Sequence, residues 1–285
     1  MGREDYDRIH VMKGKWILAF CLSAVLSLPA LATAEELVHV VKEENAREAT
    51  LYVRNGRPVD VTISFKFTWE NAEVDQDCAA FVVRPNELVR VCRITSRIRN
   101  MPWRYSFEWR YKLGNMTARH DDAFIYRLPF EEGKRVVVTQ GFGGKFSHHG
   151  GSRYSIDWRV PEGTPIHASR EGTVVAVESQ HSEGGPTPEF KEKANYVIVL
   201  HEDGTLGQYL HLEKDGVAVR VGERILEGGL IGYSGNTGFS TVPHLHFNVY
   251  KPKDGLETES IPIRFKTGEG AGIALEQGKE YTVSR

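Results

Sequence analysis

TVPHLHFNVY, residues 241–250, reads as a β-strand that starts just after a proline. Leu245, Phe247 and Val249 alternate with His244, His246 and Asn248. Successive strand side chains point to opposite faces, so one face is apolar while the other carries two imidazoles roughly 7 Å apart. A sheet with one apolar and one polar face is the expectation from this stretch, and two histidines side by side on its polar face call for a chemical reason.

Outward from that strand, the second half of the chain keeps the same character. Short β-branched bursts, TVVAV at 173–177 and YVIVL at 196–200, are separated by turn signals such as PEGTP, REGT, EDGT and SGNTG. No segment past residue 34 carries a sustained helical stripe, and HSEGGPTPEFKEKA at 181–194 reads as a long polar loop of the kind that flanks binding clefts. In the first half, VDVTISFKFTW at 59–69 and WRYSFEWRY at 103–111 alternate strictly with period two, which predicts half-buried antiparallel strands. With further short strands near 37–41, 50–54, 80–83 and 88–94, this half is expected to be a small β-sandwich of immunoglobulin-like type. Its aromatic row reads as core packing, with a carbohydrate-stacking platform as the alternative. The pattern breaks at YRLPFEEGKR, 126–135, so the expected organisation is an accessory sandwich over 35–130, a second β-rich domain over 131–265 and a tail over 266–285. The fold class is all-β.

The formal charge of −2 over 285 residues gives no electrostatic footprint for nucleic acid, and that class of partner is excluded. The N-terminus reads as a secretory signal over 1–34. Lys13 and Lys15 precede an apolar run from Trp16 to Leu31, and Ala32-Thr33-Ala34 fits a small-x-small cleavage site. The polar residues 1–11 ahead of it make Met12 a candidate start. An uncleaved anchor is the alternative, but the run is shorter than a comfortable membrane span, so no integral span is expected once the signal is removed. An exported chain that then keeps two cysteines, Cys78 and Cys92, is expected to pair them in a disulfide. Closing a loop of about 15 residues would stabilise by roughly 3 kcal/mol on the chain-entropy account. A metal or catalytic thiol is the alternative, and neither cysteine has a histidine or second cysteine at ligand spacing.

Histidines gather between residues 148 and 246. A catalytic zinc takes three protein ligands, commonly His and carboxylate, and keeps one position open for water. Further groups must move protons and stabilise the developing oxyanion. By chemistry alone, His148 or His149, Asp157, His211, His244 and His246 supply enough groups, with roles unassigned.

Three ordered motifs, QGFGGKFSHHGGSRYSIDWRVPEGTPIHASREGTVVAV, then GQYLHL, then GYSGNTGFSTVPHLHF, resemble the lysostaphin-type (LytM-like) zinc endopeptidases that cut peptidoglycan cross-links. The resemblance covers about 135–262. It implies a β-rich peptidase domain with an open groove and Zn2+ held by His148, Asp157 and His246. It also implies that His211 and His244 are not ligands but orient and deprotonate water and stabilise the tetrahedral intermediate. Eight residues separate His148 from Asp157, where many members have three; the His-x-Gly frame of His148-His149-Gly150 favours His148 over His149 as ligand. His39, His120, His167, His181 and His201 get structural or solvent-exposed readings.

The function expected from these implications is exported, zinc-dependent hydrolysis of peptidoglycan peptides in the periplasm or at the cell wall. A catalytically silent regulator of cell-wall hydrolases and a wall-binding module are the rival readings.

Overall fold

The computed structural model describes residues 10–13 and 37–284. The expected signal segment therefore lies outside the described residues, apart from 10–13. Among the described residues the only helices are two 3-10 turns, Gly150–Ser152 and Pro188–Lys193; everything else regular is β. No helix among them is long and apolar enough to cross a membrane.

The chain divides into two compact units, one over residues 1–113 with 254–256, the other over 114–253 with 257–285. The first unit holds two four-stranded antiparallel sheets. One is ordered His10–Lys13, Arg104–Leu113, Val61–Glu70, Ala80–Val83; the other Val38–Glu44, Glu48–Asn55, Leu88–Ser96, Ala72–Val74. Phe65 lies opposite Trp109, Phe67 opposite Phe107 and Trp69 opposite Tyr105. Period-two alternation thus sets all these rings on one face. Phe65, Tyr105, Phe107 and Trp109 are buried, as core packing requires, while Trp69 at the strand's end is 53% exposed. Cys78 and Cys92 are both free thiols, so the expected disulfide is not formed here. The two are nonetheless neighbours, joined by a side-chain hydrogen bond that pushes the Cys92 thiol up, with burial adding to the effect.

The second unit is built on an eleven-stranded sheet. Its main path runs Arg224–Ile225, Gly172–Glu178, Asn195–Leu200, Leu206–Val217, His244–Pro252, Ile156–Arg159, Arg135–Gln140, Glu280–Thr282. The apolar face of these strands carries the core: Val138, Trp158, Val197, Val199, Tyr209, Leu245, Phe247 and Val249 are each fully or almost fully buried. The break between units falls after Leu113, ahead of the 126–135 stretch where sequence alone put it. Ile125–Arg127 pairs in parallel with Arg264–Thr267, and Tyr126 and Phe265 join the second core. The last residues are also integral, because Glu280–Thr282 pairs with Arg135–Gln140 at the sheet edge. A 266–285 tail is therefore part of the second unit's architecture rather than an appendage.

Candidate metal centre

Strand register builds the centre. Gln140 lies opposite Asp157, Asp157 opposite His246, and His246 opposite Leu210, a single row across four strands. Residues directly opposed in antiparallel strands share a face, so Asp157 and His246 meet on the polar side of the sheet. Their apolar neighbours Trp158, Leu245 and Phe247 are packed on the other side. His246 Nδ1 is 2.8 Å from Asp157 Oδ1.

His148 arrives from the loop before the first 3-10 turn. Its Nδ1–H donates to Gly141 O at 2.8 Å, which leaves Nε2 bearing the lone pair 3.2 Å from Asp157 Oδ1. That nitrogen is buried and satisfies no hydrogen bond. A buried, unpartnered imidazole nitrogen is unfavourable by about 1–3 kcal/mol unless something accepts its lone pair. His149 is exposed and takes no part. His148, Asp157 and His246 each offer one ligand atom, and these atoms all lie within 4.8 Å of one another, a two-nitrogen, one-oxygen donor set that suits zinc with one position left open. Burial works against the charge on Asp157, but the neighbouring histidines, His246 with its hydrogen bond above all, outweigh it and hold the carboxyl well below the usual range.

The other two histidines face the same place. The His211 ring lies 4.6 Å from that of His244 and 5.9 Å from that of His246. Strand alternation would send His211 to the core side with Tyr209. Instead its φ is +66°, a left-handed setting at a one-residue bulge, where Asn195 lies opposite Leu212 but Tyr196 opposite Leu210, and this turns the ring back to the polar face. His211 Nδ1–H donates to Thr237 O at 2.6 Å and His244 Nδ1–H to Val242 O at 2.8 Å, with Ser240 Oγ at 3.1 Å from the same nitrogen. Both rings therefore present a bare Nε2 to the centre; that of His244 is 4.0 Å from Asp157 Oδ1. Burial, reinforced by the neighbouring His244 and His246, pushes His211 down to about 3. Burial also lowers His244, despite the opposing pull of Asp157. Both imidazoles are neutral at physiological pH, each with the Nε2 lone pair exposed to the centre.

Gln140 was not picked out from the sequence. Its Nε2 donates to Asp157 Oδ2 at 2.9 Å and to Ser147 Oγ at 2.8 Å. No local signal marks a glutamine as a neighbour of a carboxylate seventeen residues on; only the register between two strands does. A polar cavity of about 660 Å3, lined by Glu162, Glu183, Glu213, Asn236 and Thr237 among others, adjoins His211 through Thr237.

The model of peptidase family M23 matches residues 151–259. That span includes Asp157, His211, His244 and His246. The chain carries an M23 peptidase domain. Over 125 residues it is 34% identical to the glycyl-glycine endopeptidase ALE-1 of Staphylococcus capitis, covering 44% of this chain and 32% of that protein. It is 34% identical over 127 residues to lysostaphin of Staphylococcus simulans, covering 44% and 24%. Against the peptidoglycan DD-endopeptidase ShyA of Vibrio cholerae it is 37% identical over 93 residues, covering 33% and 19%. The chain spans a third or less of the length of these curated relatives.

Proposed function

We propose that the M23 domain is a zinc endopeptidase that hydrolyses peptide cross-links of peptidoglycan, with His148, Asp157 and His246 as metal ligands. The observation that carries this is the buried, unpartnered Nε2 of His148 aimed at Asp157 and His246. The names of the relatives, endopeptidases that act on glycyl-glycine or peptidoglycan bonds, supply the substrate class. Zinc held there would supply Lewis acidity toward a water molecule and the scissile carbonyl. His211 and His244, neutral and with Nε2 free, take the proton that water gives up and return it to the leaving amine. Their Nδ1–H bonds to Thr237 O and Val242 O fix tautomer and ring orientation, so no reorganisation is needed as charge develops. Asp157, ionised across the physiological range, sets one negative charge against the ion and leaves the centre with a net charge of about +1, consistent with strong polarising power.

The same reading includes export to the envelope on the 1–34 segment, removal of that segment, pairing of Cys78 with Cys92 in that oxidising compartment, and an immunoglobulin-like sandwich for the first unit. Support for the sandwich comes from its two four-stranded antiparallel sheets. Support for the pairing comes from the adjacency of the two thiols. A silent regulator is disfavoured because all five polar groups converge.

The test is digestion of purified peptidoglycan followed by mass spectrometry of the released fragments, alongside elemental analysis. About one zinc per chain and cross-link cleavage that stops with chelator are expected. Protein that neither contains nor takes up zinc would overturn the reading.

A further inference from the structure

We propose that Gln140 is a positioning residue for the metal centre: its side-chain amide holds Asp157 to a single ligating oxygen and, through the same group, fixes the loop that delivers His148. This rests on the zinc reading above. A glutamine amide has two N–H donors and two acceptor lone pairs, and here all four are used. The donors go to Asp157 Oδ2 and Ser147 Oγ; Oε1 accepts from the backbone N–H of Phe146 at 3.1 Å and of Ser147 at 3.4 Å. The amide has only one workable orientation. Turned over, it would set its oxygen against the Asp157 carboxylate and its N–H groups against two backbone N–H groups, repulsive at three of the four contacts.

The consequence for the centre follows from which carboxylate oxygen is taken. Gln140 occupies Oδ2, whereas Oδ1 is the oxygen facing His148 Nε2 and His246 Nδ1. A carboxylate pinned by one oxygen offers the other in a fixed direction, which favours one-oxygen ligation and leaves a coordination position open. Oε1, meanwhile, clamps residues 146 and 147, immediately ahead of His148. One amide thus ties two ligands from different parts of the chain to each other. The loop is shaped to admit it: a Cβ on Gly144 would sit 2.2 Å from Gln140 Cγ, closer than atoms can approach. Gln140 itself is 9% exposed and caps the strand whose Val138 lies in the core.

The measurement is the zinc dissociation constant, by competition with a chromophoric chelator, on the full chain. Gln140→Met keeps the unbranched length and removes all four hydrogen bonds; a weakening of roughly 10–100-fold is expected. Gly144→Ala keeps the glutamine itself but forces its side chain aside, and weakened zinc binding is expected there too, which keeps the test decisive if Gln140→Met does not fold. Val138→Ala on the same strand destabilises the core without touching the amide, and wild-type zinc affinity is expected well below its melting temperature. Wild-type affinity in Gln140→Met or Gly144→Ala, or an equal loss in Val138→Ala, would overturn the assignment while leaving the zinc reading intact. Wild-type protein that binds no zinc would instead remove the reading on which it rests.

Discussion

His211 holds a backbone setting, φ +66°, that a side chain with a Cβ occupies at a penalty of about 1 kcal/mol or more. The strain is retained where it aims an imidazole at the centre, and it separates the residue's stability effect from its chemical one. His211→Gly and His211→Ala both remove the proton acceptor, and cleavage should fall by about 10²–10⁴-fold in each. Glycine relieves the strain and alanine does not, so the Gly variant should be the more stable of the pair by about 1 kcal/mol in chemical denaturation. Equal stability would show that the left-handed setting stores nothing. His244 and His246 stand two apart on one strand yet differ in contact: His246 Nδ1 is 2.8 Å from Asp157 Oδ1, whereas His244 Nε2 is 4.0 Å away. His244→Ala should therefore keep its zinc and lose cleavage, while His246→Ala should lose both. Elemental analysis of the two purified variants decides, and loss of metal from His244→Ala alone would exchange the roles.

Among the elements, the hairpin joining Asn195–Leu200 to Leu206–Val217 carries a titrating group away from the centre. His201 is 2% exposed, with Nδ1 on Thr205 Oγ1; burial, aided by the Arg170 charge, drives it down to about 3. In the unfolded chain it titrates near 6.5, so between about pH 6.5 and 3 the unfolded state binds the extra proton and stability falls as pH falls. From pH 7 to 5 the loss is about 2 kcal/mol from this residue. His201→Asn should flatten the stability slope over that interval by about 1 kcal/mol per pH unit on average, read by urea denaturation of metal-free protein; an unchanged slope would refute the buried neutral state. The elements also show what the chain discloses in advance. The alternation in 244–249 is local, so the strand, its apolar face and its polar histidines are legible from residues alone. The resemblance added roles to them. Gln140 beside Asp157 and the reversal at His211 depend instead on register and on a one-residue bulge, neither of which leaves a periodic mark. The division after Leu113 was hidden for a related reason: Ile125–Arg127 is held in the second unit by partners far along the chain, among them Ser169 and the parallel strand Arg264–Thr267 some 140 residues on.

At the scale of the molecule, the two units carry different constraints, and these should act separately. His148, Asp157 and His246 all belong to the second unit, while Cys78 and Cys92 both belong to the first. A ligand that binds only the folded state stabilises what it binds, by about 4 kcal/mol at a thousand times its dissociation constant, or roughly 10 °C for a unit of this size. A disulfide acts on the unfolded chain that contains it, by about 3 kcal/mol for a loop of this length. Calorimetry of the oxidised, zinc-loaded chain should resolve two transitions, of which chelator lowers one and thiol reductant the other. The burial of both thiols makes the second effect conditional on access, since Cys92 is fully enclosed and Cys78 is 7% exposed. Reductant should therefore act only as the first unit opens near its transition, or be added during refolding. If chelator and reductant shift the same transition, the units fold as one cooperative body and the metal and the thiol pair constrain a single equilibrium. If reductant shifts neither, the neighbouring thiols remain free in the mature chain.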